Sequence, residues 1–168
     1  MSIAPTALDF LKSPPGQDPI LVSGLFRAPT ARVFRAFTDP ADIDGWFMPG
    51  GKLAAIEIDL RVGGRWTFVL QDQDGKMERL EGEYLEIDAP NHLKFSWRHV
   101  VEHADGTRQE TDRSFVTITF APAGKATEVN LRHEAIKSVD GRLGVGTGWD
   151  GCLHRIAGYL AQSMPEET

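Results

Sequence analysis

GVGTGWDGCLHRIAGYLA, residues 144–161, is the stretch whose reading decides the fold. Trp149, Cys152, Leu153, Ile156 and Leu160 recur at spacings of three and four, the apolar stripe of an amphipathic helix. His154, Arg155 and Tyr159 fall on its other side. From Ala54 to Ile136, apolar and polar residues instead alternate with period two. One long helix after a run of strands has to bury its stripe against the sheet those strands make. The space between helix and sheet is therefore where function is sought.

A chain of 168 residues, 41% hydrophobic and 25% charged, has the size and composition of one soluble domain. Such a domain buries roughly 70% of the surface its unfolded chain exposes. A net charge of −6 without a basic stripe excludes a nucleic-acid backbone as partner. A single cysteine excludes an internal disulfide, and nothing marks the chain as secreted. The N-terminus shows no signal-peptide pattern, and no apolar run approaches the roughly 20 residues that span a bilayer. The expected location is the cytoplasm, with no membrane span.

Outward from the helix, the chain resolves into an arm, one domain and a short tail. Residues 1–19 carry Pro5, Pro14, Pro15 and Pro19 and read as a proline-rich arm, with a turn of helix at Thr6–Leu11. The single domain is expected over residues 20–163 and the tail over 164–168. Ile20–Arg27 has strand composition. Pro29 suits the first turn of a helix carrying Val33, Phe34 and Phe37. Asp39-Pro40 caps a second short helix that closes at Trp46-Phe47, before Met48-Pro49-Gly50-Gly51 breaks it. Strands follow at Leu53–Leu60, Arg65–Leu70, Lys76–Ile87, His92–Glu102, Arg108–Phe120 and Thr127–Ile136, joined by Gly-, Pro- and Asp-Gly-rich turns. Short turns make neighbouring strands antiparallel. The expected class is α+β: about seven strands, two short helices after the first strand, and the long helix last.

Alternation also assigns faces. Trp66, Phe68 and Leu70 share one face; so do Leu93, Phe95, Trp97 and His99; so do Val129, Leu131 and His133. The opposite faces are mostly polar. Two histidines thus fall on the apolar, helix-facing side. Whether the large side chains fill that space or line a hollow is open at this point.

TDPADIDGWF, DLRVGGRW, Gly82 with Glu86 in LEGEYLEID, HLKFSW, TITFAP, TEVNLRH and the Gly148-Trp149 pair occur in that order. In this the chain resembles, over residues 20–163, the family named for the C-terminal domain of the activator of the ninety-kilodalton heat-shock chaperone ATPase. That family lies in the START-like, or SRPBCC, superfamily, which includes the birch-pollen allergen. The resemblance implies a helix-grip fold, in which a curved antiparallel sheet grips the C-terminal helix around a deep hydrophobic cavity. One fold hosts carriers, cyclases and chaperone partners, so it does not fix the chemistry. Only the proline-rich arm stands where the namesake has a separate N-terminal domain, so stimulation of a chaperone ATPase is not the expected activity. Val100–Arg113 reads as a charged hairpin outside the family pattern.

The candidate ligand-binding set is Trp46, Phe47, Trp66, Phe68, Trp97, His99, His133, Trp149, Leu153 and Ile156. The aromatics supply most of the surface an apolar ligand would touch, although core packing is the ordinary role of each. Phe115 belongs with them by type, but alternation sets it opposite Val116. His99 and His133 are the polar candidates, able to hydrogen-bond a ligand or move a proton near neutral pH; the plainer reading is an inward imidazole bonded to Tyr84 or to a backbone carbonyl. The Gly144–Gly148 run lacks both the Walker lysine and the dinucleotide fingerprint, and reads as a bend leading into the helix. His99 and His103 sit about 13 Å apart on a strand, too far to share a metal. Cys152 reads as an inert core thiol. No catalytic residue, metal or cofactor is expected. The leading expectation is a binder of a small apolar or amphipathic molecule; the alternatives are a cyclase- or aromatase-like enzyme using a cavity histidine, and an interaction module whose partner is a chaperone or a second copy of the chain.

Overall fold

The computed structural model describes residues 11–48 and 53–163. The alternating segments form strands β1 (Leu11–Lys12), β2 (Ile20–Phe26), β3 (Ala55–Ile58), β4 (Arg65–Gln71), β5 (Met77–Asp88), β6 (His92–Glu102), β7 (Arg108–Glu110), β8 (Ser114–Ala123) and β9 (Ala126–Glu134). They make one antiparallel sheet in the order β1-β2-β9-β8-β6-β5-β4-β3, with β7 paired to β6. Six of the seven expected strands appear as single elements; the one expected over Arg108–Phe120 is broken into β7 and β8, both paired to β6, and β1 is a short addition at the margin. Val22 lies opposite Leu131, and Leu131 opposite Ile118, which in turn faces Leu93. All four are buried, so one row of aliphatic side chains crosses the sheet on its inner face. Each such side chain contributes about 1.5–3 kcal/mol when withdrawn from water.

The sheet bends where β5 meets β6. The pairing register shifts between Tyr84 and Glu86, and such a bulge kinks its strand. Ser96 organises the kink. Its hydroxyl accepts from the Glu83 amide at 3.0 Å, and its carbonyl accepts from the Trp66 indole at 3.2 Å. A β-carbon on Gly82 would collide with that same carbonyl, so only glycine lets the two strands and the indole meet there.

Helices α1 (Thr30–Thr38) and α2 (Pro40–Trp46) follow β2 as the sequence suggests. The Asp39 carboxylate caps α2 by accepting from the Ala41 amide at 2.9 Å, whereas Pro29 is the extended residue just before α1 and not part of its first turn. The break assigned to Pro49–Gly51 and the tail at 164–168 lie outside the described residues. The strand expected over Leu53–Leu60 is confined to Ala55–Ile58.

The long helix α3 runs from Val139 to Ser163. It begins five residues before Gly144, so the glycine run is helical and not a bend. Ser138 supplies the start signal, its hydroxyl accepting from the Gly141 amide at 2.9 Å. The described part of the arm is also tied down. Leu11–Lys12 pairs with β2, and the Gly16 carbonyl accepts from Arg142 at 2.6 Å. The helical turn expected at Thr6–Leu11 lies outside the described residues except for Leu11, which is strand.

Asp42 bolts the three helices together. Its carboxylate accepts both arms of Arg32 (2.8 and 3.2 Å), the Arg35 Nε (3.4 Å) and the Tyr159 hydroxyl (2.6 Å). Burial raises the Asp42 pKa, but the hydrogen bonds from Tyr159 and Arg32 and the nearby guanidinium charges outweigh it. The group therefore titrates below the usual carboxylate range. A lowered folded pKa gives stability that is present above the unfolded value and lost as pH falls through the folded one. Replacing Asp42 by Ala strands a partly buried guanidinium and is expected to destabilise the fold by about 2–4 kcal/mol at neutral pH in urea melts. A loss below about 0.5 kcal/mol would show that the cluster is a solvated surface pair.

Candidate functional site

A cavity of about 770 Å³ lies between the inner faces of β4–β6, the C-terminal end of α2 and the N-terminal half of α3. That size falls within the roughly 300–1,000 Å³ of small-molecule sites. The alternation of β6 builds one wall, since Leu93, Phe95, Trp97 and His99 all face the cavity. Trp66 and Phe68 of β4 pack at 5.0 Å between ring centroids, and Phe47 at the end of α2 meets Phe68 edge-on at 5.3 Å. These aromatics hold one another in place as well as presenting a surface.

The opposite wall is helical, with glycine at three of its seven lining positions. Gly141, Gly144, Val145, Gly148, Trp149, Cys152 and Arg155 of α3 face the cavity at spacings of three and four. A β-carbon on Gly144 or Gly148 would meet nothing within 4 Å. Glycine within a helix is less favourable than alanine by about 0.8–1.0 kcal/mol, so the helix gives up stability where the cavity is open. Burial pushes the Cys152 thiol up to about 11, against the opposing pull of Arg155. The thiol is therefore unreactive, but it sits in the cavity wall.

The mouth is polar. Glu110–Asp112 lies on one side and Ala135–Ser138 on the other, bridged by Lys137 Nζ to Asp112 Oδ2 at 3.1 Å. Both ends of that pair are largely exposed, so it is easily opened.

His133 is wholly buried beside this space and not in its wall. The Trp149 indole N–H donates to His133 Nδ1 at 2.9 Å. An indole can only donate, so Nδ1 accepts and the ring proton belongs on Nε2. From there it is given to Ser114 Oγ at 2.7 Å, and Ser114 donates on to the Trp97 carbonyl at 3.2 Å. The relay is complete only with a neutral ring. Burial agrees, pushing the His133 pKa down to about 3. The sequence correctly put this histidine inside, but its partners are Ser114 and Trp149 in place of Tyr84 or a carbonyl. His99 differs: it is half-buried in the cavity wall, with Nε2 at 3.1 Å from Glu78 Oε1. That carboxylate partner is not apparent from the sequence.

Seven of the ten candidates, Trp46, Phe47, Trp66, Phe68, Trp97, His99 and Trp149, are brought together around the cavity. His133, Leu153 and Ile156 are not. Leu153 and Ile156 are fully buried, because the 149–153–156–160 stripe turns toward the core as the helix advances. The stripe beside it forms the cavity wall, which places Arg155 inside and not on the far side. Phe115 lies away from the cavity with Arg113 stacked 5.6 Å over its ring. Tyr84, a cavity residue the sequence offered only as a partner for histidine, is buried, and its phenol is pushed up and stays protonated. Among the described residues no three His, Cys, Asp or Glu side chains gather as a metal site requires. No described helix is long and apolar enough to cross a membrane.

A curved antiparallel sheet closed on a long C-terminal helix around such a cavity defines a helix-grip protein. The chain belongs to the family of activator of Hsp90 ATPase homolog 1-like proteins, which it matches over residues 27–161. No curated protein matches it. Among solved structures it is similar to a protein of Chromobacterium violaceum (26% identity, TM-score 0.71, covering 89% of this chain and 99% of that one). It is also similar to a Rhodobacter sphaeroides protein (18%, 0.74, 92% and 99%) and to a Staphylococcus aureus protein of unknown function (14%, 0.71, 92% and 97%). The last two likenesses show the fold alone.

The His133 relay makes stability depend on pH. The unfolded imidazole binds a proton below its ordinary 6.5, while the folded one does so only near 3. Stability from the neutral ring is thus full above pH 6.5 and falls below it by up to about 1.4 kcal/mol per pH unit. Between pH 6.5 and 5 the wild type is expected to lose about 2 kcal/mol more than His133→Gln, read from urea midpoints. Parallel pH profiles for the two proteins would contradict a neutral, relay-bound ring.

Proposed function

We propose that the protein binds a small hydrophobic or amphipathic molecule in the cavity between sheet and helix. The observation that carries this reading is the cavity itself, about 770 Å³ in size, lined by the aromatics of β4 and β6 and by a glycine-rich stretch of α3. An apolar core is filled by side chains to crystal-like density, and here the helix places glycine at three of its seven lining positions. Burying ten methylene groups contributes roughly 8 kcal/mol before association costs.

A second reading, a cyclase-like enzyme, is favoured by the His99–Glu78 pair in the cavity wall. A carboxylate behind an imidazole orients a general base. His133 cannot serve in this way, since both its ring nitrogens are engaged and it lies outside the cavity wall. The outer face that a chaperone partner would use carries paired charges, including Arg98–Glu81 at 2.6 Å and Arg79–Glu102 at 2.9 Å. It adds no support to that reading.

Trp66, Trp97 and Trp149 lie in the wall, so ligand binding is readable in tryptophan fluorescence. Decanol is expected to bind with a Kd of about 50 μM or tighter. Gly148→Leu, which fills the opening, is expected to weaken it at least about tenfold while raising thermal stability. Gly148→Ala is expected to keep most of the binding. Absence of binding to the wild type, or a Gly148→Leu variant that binds normally, would overturn the reading.

A further inference from the structure

We propose, on the footing of that cavity reading, that the ligand is an anionic amphiphile, a carboxylic acid with an apolar tail, whose head group is held by Arg155. Two cationic side chains, Lys137 and Arg155, belong to the cavity lining. Lys137 is at the mouth and is already opposed by Asp112. Arg155 has no carboxylate partner among the described residues. Its Nε donates to the Trp46 carbonyl at 3.0 Å and one Nη to Cys152 Sγ at 3.4 Å, which leaves three of its five N–H donors uncommitted.

The bond to Trp46 has a plain structural use, since it satisfies a carbonyl at the end of α2. A neutral donor would do as much. A half-buried guanidinium with spare donors beside an apolar cavity is favourably completed by an anion. Gly151 makes room for it, as a β-carbon there would stand 3.0 Å from Arg155 Nη1.

A second observation points the same way. The Tyr84 hydroxyl, on a side chain only 4% exposed, and the Trp97 indole N–H both belong to the cavity lining, and neither has a protein acceptor among the described residues. These two groups can donate to a ligand, as can Arg155, and the lining carboxylates Glu110 and Asp112 sit at the mouth, each already paired with a cation. A carboxylate only accepts, so it complements this arrangement, whereas an amine would leave its own donors unmatched.

The test compares decanoate, decanol and decylamine at pH 7.5 by tryptophan fluorescence and calorimetry. The wild type is expected to bind decanoate at least tenfold tighter than decanol, and decylamine most weakly. Arg155→Gln is expected to bring decanoate and decanol within twofold of each other; the ratio is taken within one protein, so a change in the cavity itself acts on both compounds alike. Should that variant not fold, Tyr84→Phe decides, with the decanoate preference expected to fall severalfold. Equal affinity for decanoate and decanol in the wild type, or an undiminished preference in the variants, would overturn Arg155 as the head-group site while leaving the cavity reading standing. Failure of all three compounds to bind would remove both.

Discussion

Helix α3 presents two different faces to the sheet that grips it, and the interior depends on that difference. Its C-terminal half closes the core through Leu153, Ile156 and Leu160. Its N-terminal half offers Gly141, Gly144 and Gly148 where a closed core would have side chains. The first of these glycines is needed for packing, since a β-carbon there would crowd the Ser138 hydroxyl at 2.8 Å. The other two meet nothing. Glycine lowers helix stability without adding contacts, and these two leave an exposed, cavity-lining stretch of the helix without side chains.

A bare helix face does not hold itself away from a sheet, and two polar clusters do that work. At one end, Trp149 hangs through His133 and Ser114 on the Trp97 carbonyl of β6, fixing the helix to three strands by directional bonds. At the other end, Tyr159 reaches Asp42 and Arg155 reaches the Trp46 carbonyl, fixing the helix to α2. Both anchors lie C-terminal to the Gly141–Gly148 face and hold the helix on which it stands. The kink at Gly82 and Ser96 then curves β5 and β6 so that their aromatics face the opening. Buried polar groups that are fully bonded rigidify their surroundings, and rigidity is what a hollow needs to persist.

Much of this frame is legible in the sequence, because it rests on local patterns. The alternation of Leu93, Phe95, Trp97 and His99 marked a wall, and Asp39-Pro40 marked the cap of α2. What was illegible depends on contacts between distant residues or on competing local signals. The glycines after Ser138 argue against helix on propensity alone, yet the helix starts there and tertiary packing overrides them. The partners of His133 lie 16 and 19 residues away in sequence, beyond any periodicity argument. The pairing of β2 with β9 joins the first long strand to the last, with Thr127 bonding the Ala28 carbonyl across 99 residues. Arg155 was misplaced because the helix turns: the stripe that is apolar is not the stripe that faces the opening.

The most direct measurement is crystallographic. Xenon enters apolar cavities and is located by its anomalous scattering, without any assumption about the natural ligand. In crystals pressurised with xenon, the account expects atoms between the Trp97 ring and the Gly144–Gly148 face of α3, and their loss in Gly148→Leu. A protein in which Trp97 and Trp149 had closed over that face, leaving no xenon inside, would contradict it.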